Sequence, residues 1–285
     1  MTVLVTAANG RTGGSVVEAL LRKGQSVRAF DINPQVHDLV ERGVAETLVG
    51  DLLEPRDVRS AVEGVRVVIH IGPPMHPREA EMGHSVVAAA RQSGVQHFVQ
   101  FSVMHPQLEP LLNHQAKLAV ERLVLLSRIP FTILQPMHYM QNTDVVKVVD
   151  DGLYRQPYSL DTPLAHVDLV DVAEVAALVA CDTARHSFAT YQLCGGDFFS
   201  GRQLAQIIEE LSGRSITTEV VSPPLGVQEG SHSMEVDDYQ HDAMLRLFEH
   251  YGRYGITGNP NVLTWLLGRS PGTFRDYVRR SLSTR

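Results

Sequence analysis

The stretch MTVLVTAANGRTGGSVVEALLRKG, residues 1–24, decides how the rest of the chain is interpreted. Residues 2–6 form an apolar, β-branched run that predicts a buried strand. In residues 15–23 the apolar positions are 16, 17, 20 and 21, which is the spacing of one helix face. The turn between the two segments is rich in glycine. A strand, a glycine-rich turn and a helix in this order are typical of a loop that binds the phosphates of a dinucleotide.

The turn departs from the usual pattern at one position. Ala7 stands where such loops prefer their first glycine. The methyl group matters if this position needs a positive φ or has no room for a Cβ atom. Gly10 would let the backbone approach a pyrophosphate, and Gly13 would let the helix pack closely on the strand. We therefore predict a cofactor loop with a weakened signal, and the alternative is an ordinary glycine-rich turn.

Further along the chain, apolar runs alternate with helical patterns. Short connections between them predict βαβ crossovers in a parallel sheet, so the predicted fold class is α/β, a Rossmann-type doubly wound sheet. The pattern loosens after residue 142, where helices and two more strands predict a smaller interleaved α+β lobe. Predicted strands are 2–6, 26–30, 45–49, 66–71, 96–101, 131–134, 189–194 and 216–221, and predicted helices are 15–23, 34–42, 57–62, 78–93, 111–127, 167–180 and 201–212, with a mostly helical tail over 236–283.

These patterns divide the chain into two predicted domains. Residues 1–142 form the dinucleotide-binding domain, with late sheet elements within residues 164–196. Residues 143–163 and 197–285 form the smaller lobe, which we expect to bind substrate.

Composition narrows the classes of function. The 285 residues carry a net charge of −7 with no basic runs, which argues against nucleic acid as a partner. No apolar run is long enough to span a bilayer and no signal-peptide pattern begins the chain, so we expect a cytoplasmic protein without a membrane partner. The 13 histidines are scattered, and we predict no metal site.

Two residues point to opposite cofactor preferences. Asp31 ends the second predicted strand, where a carboxylate would bind the adenosine ribose hydroxyls and repel a 2′-phosphate, which favours NAD. Arg11 lies in the loop and could pair with a 2′-phosphate, which favours NADP. Asp31 could also be a simple turn residue. Asp51 could hold the adenine amino group, and Gly72 follows the fourth strand at the predicted switch point, where ligands bind.

Several blocks together resemble a known family. They are TAANGRTGG (6–14), VGDL (49–52), FSVMHP (101–106), the segment NHQAKLAVERLVLLSRIPFTILQPMHYMQN (113–142) and LTWLLGRSPGTFRDYV (263–278). The combination resembles the NmrA-like branch of the atypical short-chain dehydrogenase/reductases, from the first strand to about residue 278. The resemblance implies a Rossmann-type NAD(P)-binding fold. It also implies one of three activities: quinone reduction, aromatic reduction of the isoflavone-reductase type, or redox sensing without turnover.

The resemblance also assigns candidate catalytic residues. The larger superfamily uses a serine and a Tyr-x-x-x-Lys motif. Ser102 and Lys117 match the serine and the lysine, but Asn113 replaces the tyrosine, and asparagine cannot deliver a proton to a developing alkoxide. A quinone needs little acid help, so Asn113 is compatible with quinone reduction. Lys117 could instead supply the proton, or the site could bind cofactor without turnover; patterning alone would make Lys117 a solvated lysine paired with Glu121.

The segment after the sixth strand completes the predicted site. Tyr139 and Asn142 match positions at which relatives contact the nicotinamide end or line the pocket, and His138 is a candidate proton donor or a lining residue. The predicted catalytic residues are Lys117, Tyr139, His138 and Ser102. The predicted cofactor contacts are Thr6, Asn9, Gly10, Arg11, Thr12, Gly13, Asp31, Asp51, Leu52, Ile71, Gly72, Pro73, Ser102, Lys117, Pro136 and Tyr139.

The predicted function follows from these residues. It is an NAD(P)H-dependent oxidoreductase that transfers hydride to a quinone or small carbonyl acceptor without the usual tyrosine. The expected substrate is a small aromatic or quinoid molecule, and the chain could form a homodimer. The alternative is a non-catalytic NAD(P)-binding sensor that acts through a protein partner, and a lyase or isomerase ranks below both.

Overall fold

The structure is a computed structural model that describes residues 2–221 and 234–283. Residues 222–233 and 284–285 of the predicted lobe lie outside this range. In chain order the helices and strands are β1 (Thr2–Thr6), α1 (Arg11–Arg22), β2 (Ser26–Asp31), a 3₁₀ helix (Pro34–Arg42), β3 (Glu46–Val49), α2 (Pro55–Val62), β4 (Val67–His70), α3 (Glu79–Gln92), β5 (His97–Phe101), α4 (Leu112–Leu126), β6 (Phe131–Pro136), a 3₁₀ turn (Met140–Asn142), α5 (Val145–Asp151), β7 (Leu153–Gln156), β8 (Leu164–Ala165), α6 (Leu169–Cys181), α7 (Thr183–His186), β9 (Ala189–Leu193), β10 (Phe198–Phe199), α8 (Gly201–Ser212), β11 (Thr217–Val220), α9 (Met234–Tyr254), α10 (Asn261–Leu267) and α11 (Phe274–Ser283).

The main sheet has seven strands in the order β3-β2-β1-β4-β5-β6-β9. The pairs from β3 to β6 are parallel, and Val3 lies in register with Val27 on one side and with Val67 on the other. The strand order therefore reverses at β1 and β4, which is the switch point of a doubly wound sheet. This arrangement confirms the predicted α/β fold class.

The chain divides by its internal contacts into two compact units. The first unit is Met1–Glu109, Asn113–Gln135 and Val172–Tyr191, and the second is Pro110–Leu112, Pro136–Asp171 and Gln192–Arg285. In the first unit, every residue of β4 and β5 is buried, as expected of central parallel strands covered on both faces. Its core surrounds Leu4, Phe98 and Ile133.

The second unit has its own apolar core and two small sheets. In one sheet β8 pairs with β10 in antiparallel orientation, and in the other β7 pairs with β11 in parallel orientation. Helices α5, α8 and α11 bury Val149, Ile208 and Phe274 in one cluster. Helix α8 begins with a capping box, in which Ser200 and Gln203 satisfy each other's backbone N–H groups.

The predicted elements of the sheet are present, with shifted ends. Helix α1 begins at Arg11, four residues before the predicted start, because Thr12 and the two glycines after it carry no apolar signal. Residues 34–42 form a 3₁₀ helix, begun by the Asn33 side chain, which accepts from Gln35 N at 2.9 Å. The short elements α5, α7, β7, β8 and β10 were not predicted, since two to seven residues give too little periodicity. Among the described residues, no helix is both long enough and apolar enough to cross a membrane.

Candidate functional site

The first loop takes a conformation that explains the preference for glycine. Ala7 has φ of +49°, in the left-handed region that L-residues other than glycine rarely adopt. The turn is held by Ala8 N, which donates to Phe30 O at 3.2 Å, and by Gly10 N, which donates to Ala7 O at 3.1 Å. The position therefore does need a positive φ, and alanine there costs on the order of 1 kcal/mol of backbone strain.

Gly13 is required because α1 packs directly on this turn. A Cβ atom at residue 13 would lie 2.0 Å from Ala7 O, and one at Gly10 would lie 3.3 Å from the same oxygen. No side chain of the described residues caps the start of α1, and its first turn holds no acidic residue. The N-terminal amides and the positive end of the helix dipole are thus available to a phosphate, as a dinucleotide requires.

Thr6 joins β1 to β4 at the switch point. Its hydroxyl accepts from Ile71 N at 2.9 Å, donates to Ile71 O at 3.0 Å and lies 3.1 Å from His70 Nδ1. Burial lowers the pKa of His70 to about 3, with a further contribution from the charge of Lys117, so this imidazole is neutral. The structure thereby gives the Thr6 side chain, one of the predicted cofactor contacts, a role in the scaffold.

Asp31 joins the first loop to the end of β2. Its two carboxylate oxygens accept from backbone amides, Oδ2 from Asn9 N at 2.8 Å and Oδ1 from Asn33 N at 2.9 Å. The side chain therefore acts as the turn residue considered from the sequence. Each oxygen has a further lone pair, so the predicted ribose contact stays a prediction.

Asp51 and Leu52 follow β3. Asp51 Oδ1 accepts from Leu53 N at 2.8 Å, and Asp51 N donates to Asp57 Oδ2 at 3.0 Å. Leu52 is buried in the core of the first unit. The adenine contacts predicted for this pair of residues stay predictions.

Lys117 lies against the end of β4 and is paired with an acid. Its Nζ atom is 2.5 Å from Glu79 Oε1, and the two side chains are only 13% and 1% exposed. A Cβ atom at Gly72 would lie 3.2 Å from Glu79 Oε1 and 3.5 Å from Lys117 Nζ. The solvated Lys117–Glu121 pair considered from the sequence is wrong, because Glu121 Oε1 accepts instead from Gln135 Nε2 at 2.8 Å.

Glu79 is a site residue that the sequence did not indicate. It occupies the first turn of α3, where an acid looks like a solvated partner of the helix dipole. Burial raises its pKa, whereas the charge of Lys117 lowers it. Only the fold shows that this turn lies against α4, so the sequence held no local signal for the pair.

Several buried polar atoms of the first unit lack hydrogen-bond partners within the described residues. Two of them lie at positions considered for catalysis: Ser102 Oγ, on a side chain only 6% exposed at the end of β5, and Asn113 Oδ1 in the first turn of α4. The Ser102 backbone is fixed by donation from its N–H to Leu134 O at 2.8 Å. Buried polar groups without partners are rare, and a bound ligand is one way in which they become satisfied.

The second unit holds Pro136, His138 and Tyr139. Val167 N donates to His138 O, and Met140 N donates to Val167 O, both at 2.9 Å, which fixes this segment beside Val167. Pro136 ends β6 and is buried. The His138 and Tyr139 side chains are partly exposed.

The His138 ring belongs to an aromatic cluster. It meets His166 and Tyr251 edge-on, with ring centroids 5.5 and 5.6 Å apart, and Tyr158 packs on Tyr251 at 5.6 Å. Burial lowers the pKa of His166 to about 4 and raises the pKa of Tyr251, so both rings are neutral at pH 7. Tyr158 and Tyr251 were not predicted, since nothing in the sequence connects them to residue 138.

The sheet order, the loop and the switch-point residues define a Rossmann-type dinucleotide-binding fold. The chain belongs to the NmrA-like family, whose model matches residues 1–270. This confirms the resemblance found in the sequence. The chain is 25% identical to an NAD(P)H azoreductase of Xenophilus azovorans over 281 residues, which cover 97% of this chain and 96% of that protein.

Two solved structures share the fold. One is an NADPH-dependent quinone oxidoreductase of Escherichia coli complexed with NADPH, with a TM-score of 0.79 and 22% identity, covering 98% of this chain and 99% of that one. The other is the triphenylmethane reductase of Citrobacter sp. complexed with NADP(H), with a TM-score of 0.81, 23% identity and the same coverage of the two chains. At this identity the likeness shows the fold.

Proposed function

We propose that the protein is an NAD(P)H-dependent oxidoreductase that transfers hydride to a quinone or small carbonyl acceptor. The observation that carries the proposal is the buried Lys117–Glu79 pair beside Gly72 at the switch point. A charged lysine held at this place has a use in reduction, because hydride transfer to an acceptor leaves a negative charge that needs stabilisation. The azoreductase, the quinone oxidoreductase and the triphenylmethane reductase support the same class of reaction by their names.

The first unit fits a dinucleotide in several ways. The close contact at Gly13 brings α1 onto the turn, and the uncapped amides at its start can receive the pyrophosphate. Ser102 Oγ and Asn113 Oδ1 have no hydrogen-bond partner among the described residues, and they can bind polar groups of the nicotinamide end. When bound, the reduced nicotinamide would supply the hydride, and Lys117 and Ser102 would bind and orient its nicotinamide end.

The proton needed in the reaction is assigned to Lys117. An Nζ–H bond breaks, the proton goes to the anionic oxygen or nitrogen left by hydride addition, and water returns a proton to the neutral amine. Asn113 can donate a hydrogen bond but no proton. Quinones suit this site because their reduced anion is resonance-stabilised and needs little acid help, whereas a ketone would depend entirely on Lys117.

The residues of the second unit are proposed to receive the acceptor. His138 and Tyr139 are partly exposed, and the His138 ring lies in an aromatic cluster with Tyr158 and Tyr251. Aromatic side chains favour planar aromatic ligands through offset or edge-on packing. A small aromatic or quinoid substrate is therefore proposed, with His138 in a binding role.

The test is nicotinamide absorbance with NADH or NADPH and a panel of quinones, azo dyes, aldehydes and ketones. We expect oxidation with at least one quinone or dye, and a decrease in kcat of about 100-fold in Lys117→Met. The matched control is Lys147→Met, since Lys147 is exposed and pairs only with Asp151 among the acids of the described residues. Tight cofactor binding without turnover of any acceptor would overturn the enzyme and favour the sensor.

Cofactor choice is tested separately. Arg11 is exposed at the start of α1, where it could reach a 2′-phosphate. If the protein uses NADP, Arg11→Gln raises the Kd for NADPH by about tenfold and leaves that for NADH unchanged. An equal rise in the Kd for NADPH and for NADH would show that Arg11 does not recognise the 2′-phosphate. A homodimer and a cytoplasmic location complete the proposal, and light scattering of the purified chain tests the former.

A further inference from the structure

Glu79 stands out among the charged residues of the first unit because it is almost fully buried. Its carboxylate is 1% exposed and lies in the first turn of α3. Oε2 accepts no hydrogen bond from the described residues, and Oε1 is 2.5 Å from Lys117 Nζ. The ammonium of Lys117 is therefore the charge that compensates this carboxylate within the described chain.

The two helices hold this pair in a fixed geometry. One turn further along both helices, a Cβ atom at Gly83 would lie 2.4 Å from Val120 Cγ2, so α3 and α4 are in close contact at that point. Glu79 precedes Gly83 by four residues, and Lys117 precedes Val120 by three, so each lies on the same helix face as its neighbour. Such close packing leaves Glu79 little freedom, and its carboxylate in turn limits the positions that the Lys117 ammonium can occupy.

A buried ion pair is weak evidence for a stabilising role. Desolvation of two charges offsets most of their attraction, and an apolar pair of similar volume is often as stable. The pair lies beside Gly72 at the end of β4, where the strand order reverses. A role in positioning the lysine explains why an acid is found there, and a purely structural role does not.

We propose that Glu79 is a positioning residue, which fixes the Lys117 ammonium beside Gly72 for its part in the reduction of the acceptor. The inference rests on the proposed function for its kinetic consequence, but the ion pair itself can be tested without turnover. Glu79 adds no covalent step, because the proton that leaves Lys117 is returned by water. The carboxylate favours the charged form of the amine that receives it.

The first experiment observes the lysines directly. The chain contains three, Lys23, Lys117 and Lys147, so protein labelled with ¹³C-lysine gives a simple spectrum of Cε signals that can be titrated with pH. In Glu79→Gln we expect the titration midpoint of the Lys117 signal to fall by about one pH unit or more, with Lys23 unchanged. The control Asp151→Asn, which removes the partner of exposed Lys147, should leave Lys117 unaffected. If the titration midpoint of the Lys117 Cε signal is unchanged in a folded Glu79→Gln protein, the proposal is overturned.

The second experiment measures kinetics with the best acceptor. Glu79→Gln should lower kcat by about tenfold with little change in the KM for cofactor, and should shift the alkaline limb of the pH profile to lower pH. Glu79→Asp, which retains the charge, should restore part of the loss. A loss of stability with an unchanged pH profile would make Glu79 merely structural.

The two experiments separate the proposals. If the unaltered chain reduces no acceptor, the proposed function fails, and the lysine spectra still decide whether Glu79 controls the state of Lys117. If the chain reduces a quinone but Glu79→Gln has the same pH profile and the same Lys117 midpoint, only the role of Glu79 fails.

Discussion

The first loop and the Lys117–Glu79 pair lie at the same edge of the sheet, but they are specified in different ways. The loop is built from consecutive residues, and its geometry depends on backbone: a left-handed residue at Ala7 and a Cβ-free residue at Gly13. The pair joins residues 38 positions apart through the packing of α3 on α4. A backbone site leaves a local pattern in a sequence, whereas a site made by tertiary packing does not.

The largest effect is expected at Gly13. In Gly13→Ala the added methyl would lie 2.0 Å from Ala7 O, so the turn or the helix start must move. We expect the Kd for cofactor to rise at least about 100-fold and the free energy of unfolding to fall by about 3 kcal/mol or more. Calorimetry and thermal unfolding measure the two quantities.

Gly14→Ala is the matched control, since a Cβ atom there would approach Ala8 O only to 3.9 Å. It should bind cofactor normally and be at least as stable, because alanine favours a helix interior. Equal binding by both variants would show that the loop does not contact the cofactor.

The second effect is on stability and comes from the pair. Lys117→Met removes the positive charge and leaves the buried Glu79 carboxylate without compensation, which we expect to cost about 3 kcal/mol in free energy of unfolding at pH 7. The double variant Lys117→Met with Glu79→Leu should regain most of that stability but none of the activity. If the single variant is as stable as the original chain, the carboxylate does not need Lys117, and chemical denaturation at pH 7 decides this.

The third effect is acid lability through buried histidines. Burial lowers the pKa of His70 to about 3, and burial followed by the charge of His186 lowers that of His97 to about 4, whereas the unfolded value is about 6.5. Between these values the unfolded chain binds more protons than the folded one, so stability is complete above pH 6.5 and falls as the pH decreases. We expect a loss of about 2 kcal/mol per histidine from pH 7 to 5.

Urea denaturation at the two pH values measures this loss. His70 connects the two regions, because it contacts Thr6 and senses the charge of Lys117. A free energy of unfolding that stays constant from pH 7 to 5 would contradict the assignment of neutral, buried rings.

The limits of prediction from sequence follow the same division. The strands and helices around the sheet were predicted because long apolar runs carry their own periodicity. The loop was predicted because its glycines stand between a strand pattern and a helix pattern in consecutive residues. The role of Lys117 came from family resemblance, since its spacing to Glu121 suggested a solvated pair that the structure contradicts. Glu79 and the ring neighbours of His138 were missed because each depends on contacts between residues distant in sequence.

The smallest effect is expected at Ala7, which stands where dinucleotide-binding loops prefer their first glycine. Ala7→Gly relieves a left-handed alanine, which costs about 1 kcal/mol or more, but adds unfolded-chain entropy that offsets part of the gain. We expect a net increase of about 0.5 kcal/mol in the free energy of unfolding, a rise in Tm of about 1–2 °C, and unchanged cofactor affinity. Ala8→Gly, at a fully buried neighbour with ordinary φ, should instead destabilise the protein. A destabilised Ala7→Gly would mean that the methyl group makes contacts worth more than the strain, so the alanine would be a selected part of the loop rather than a tolerated departure from it.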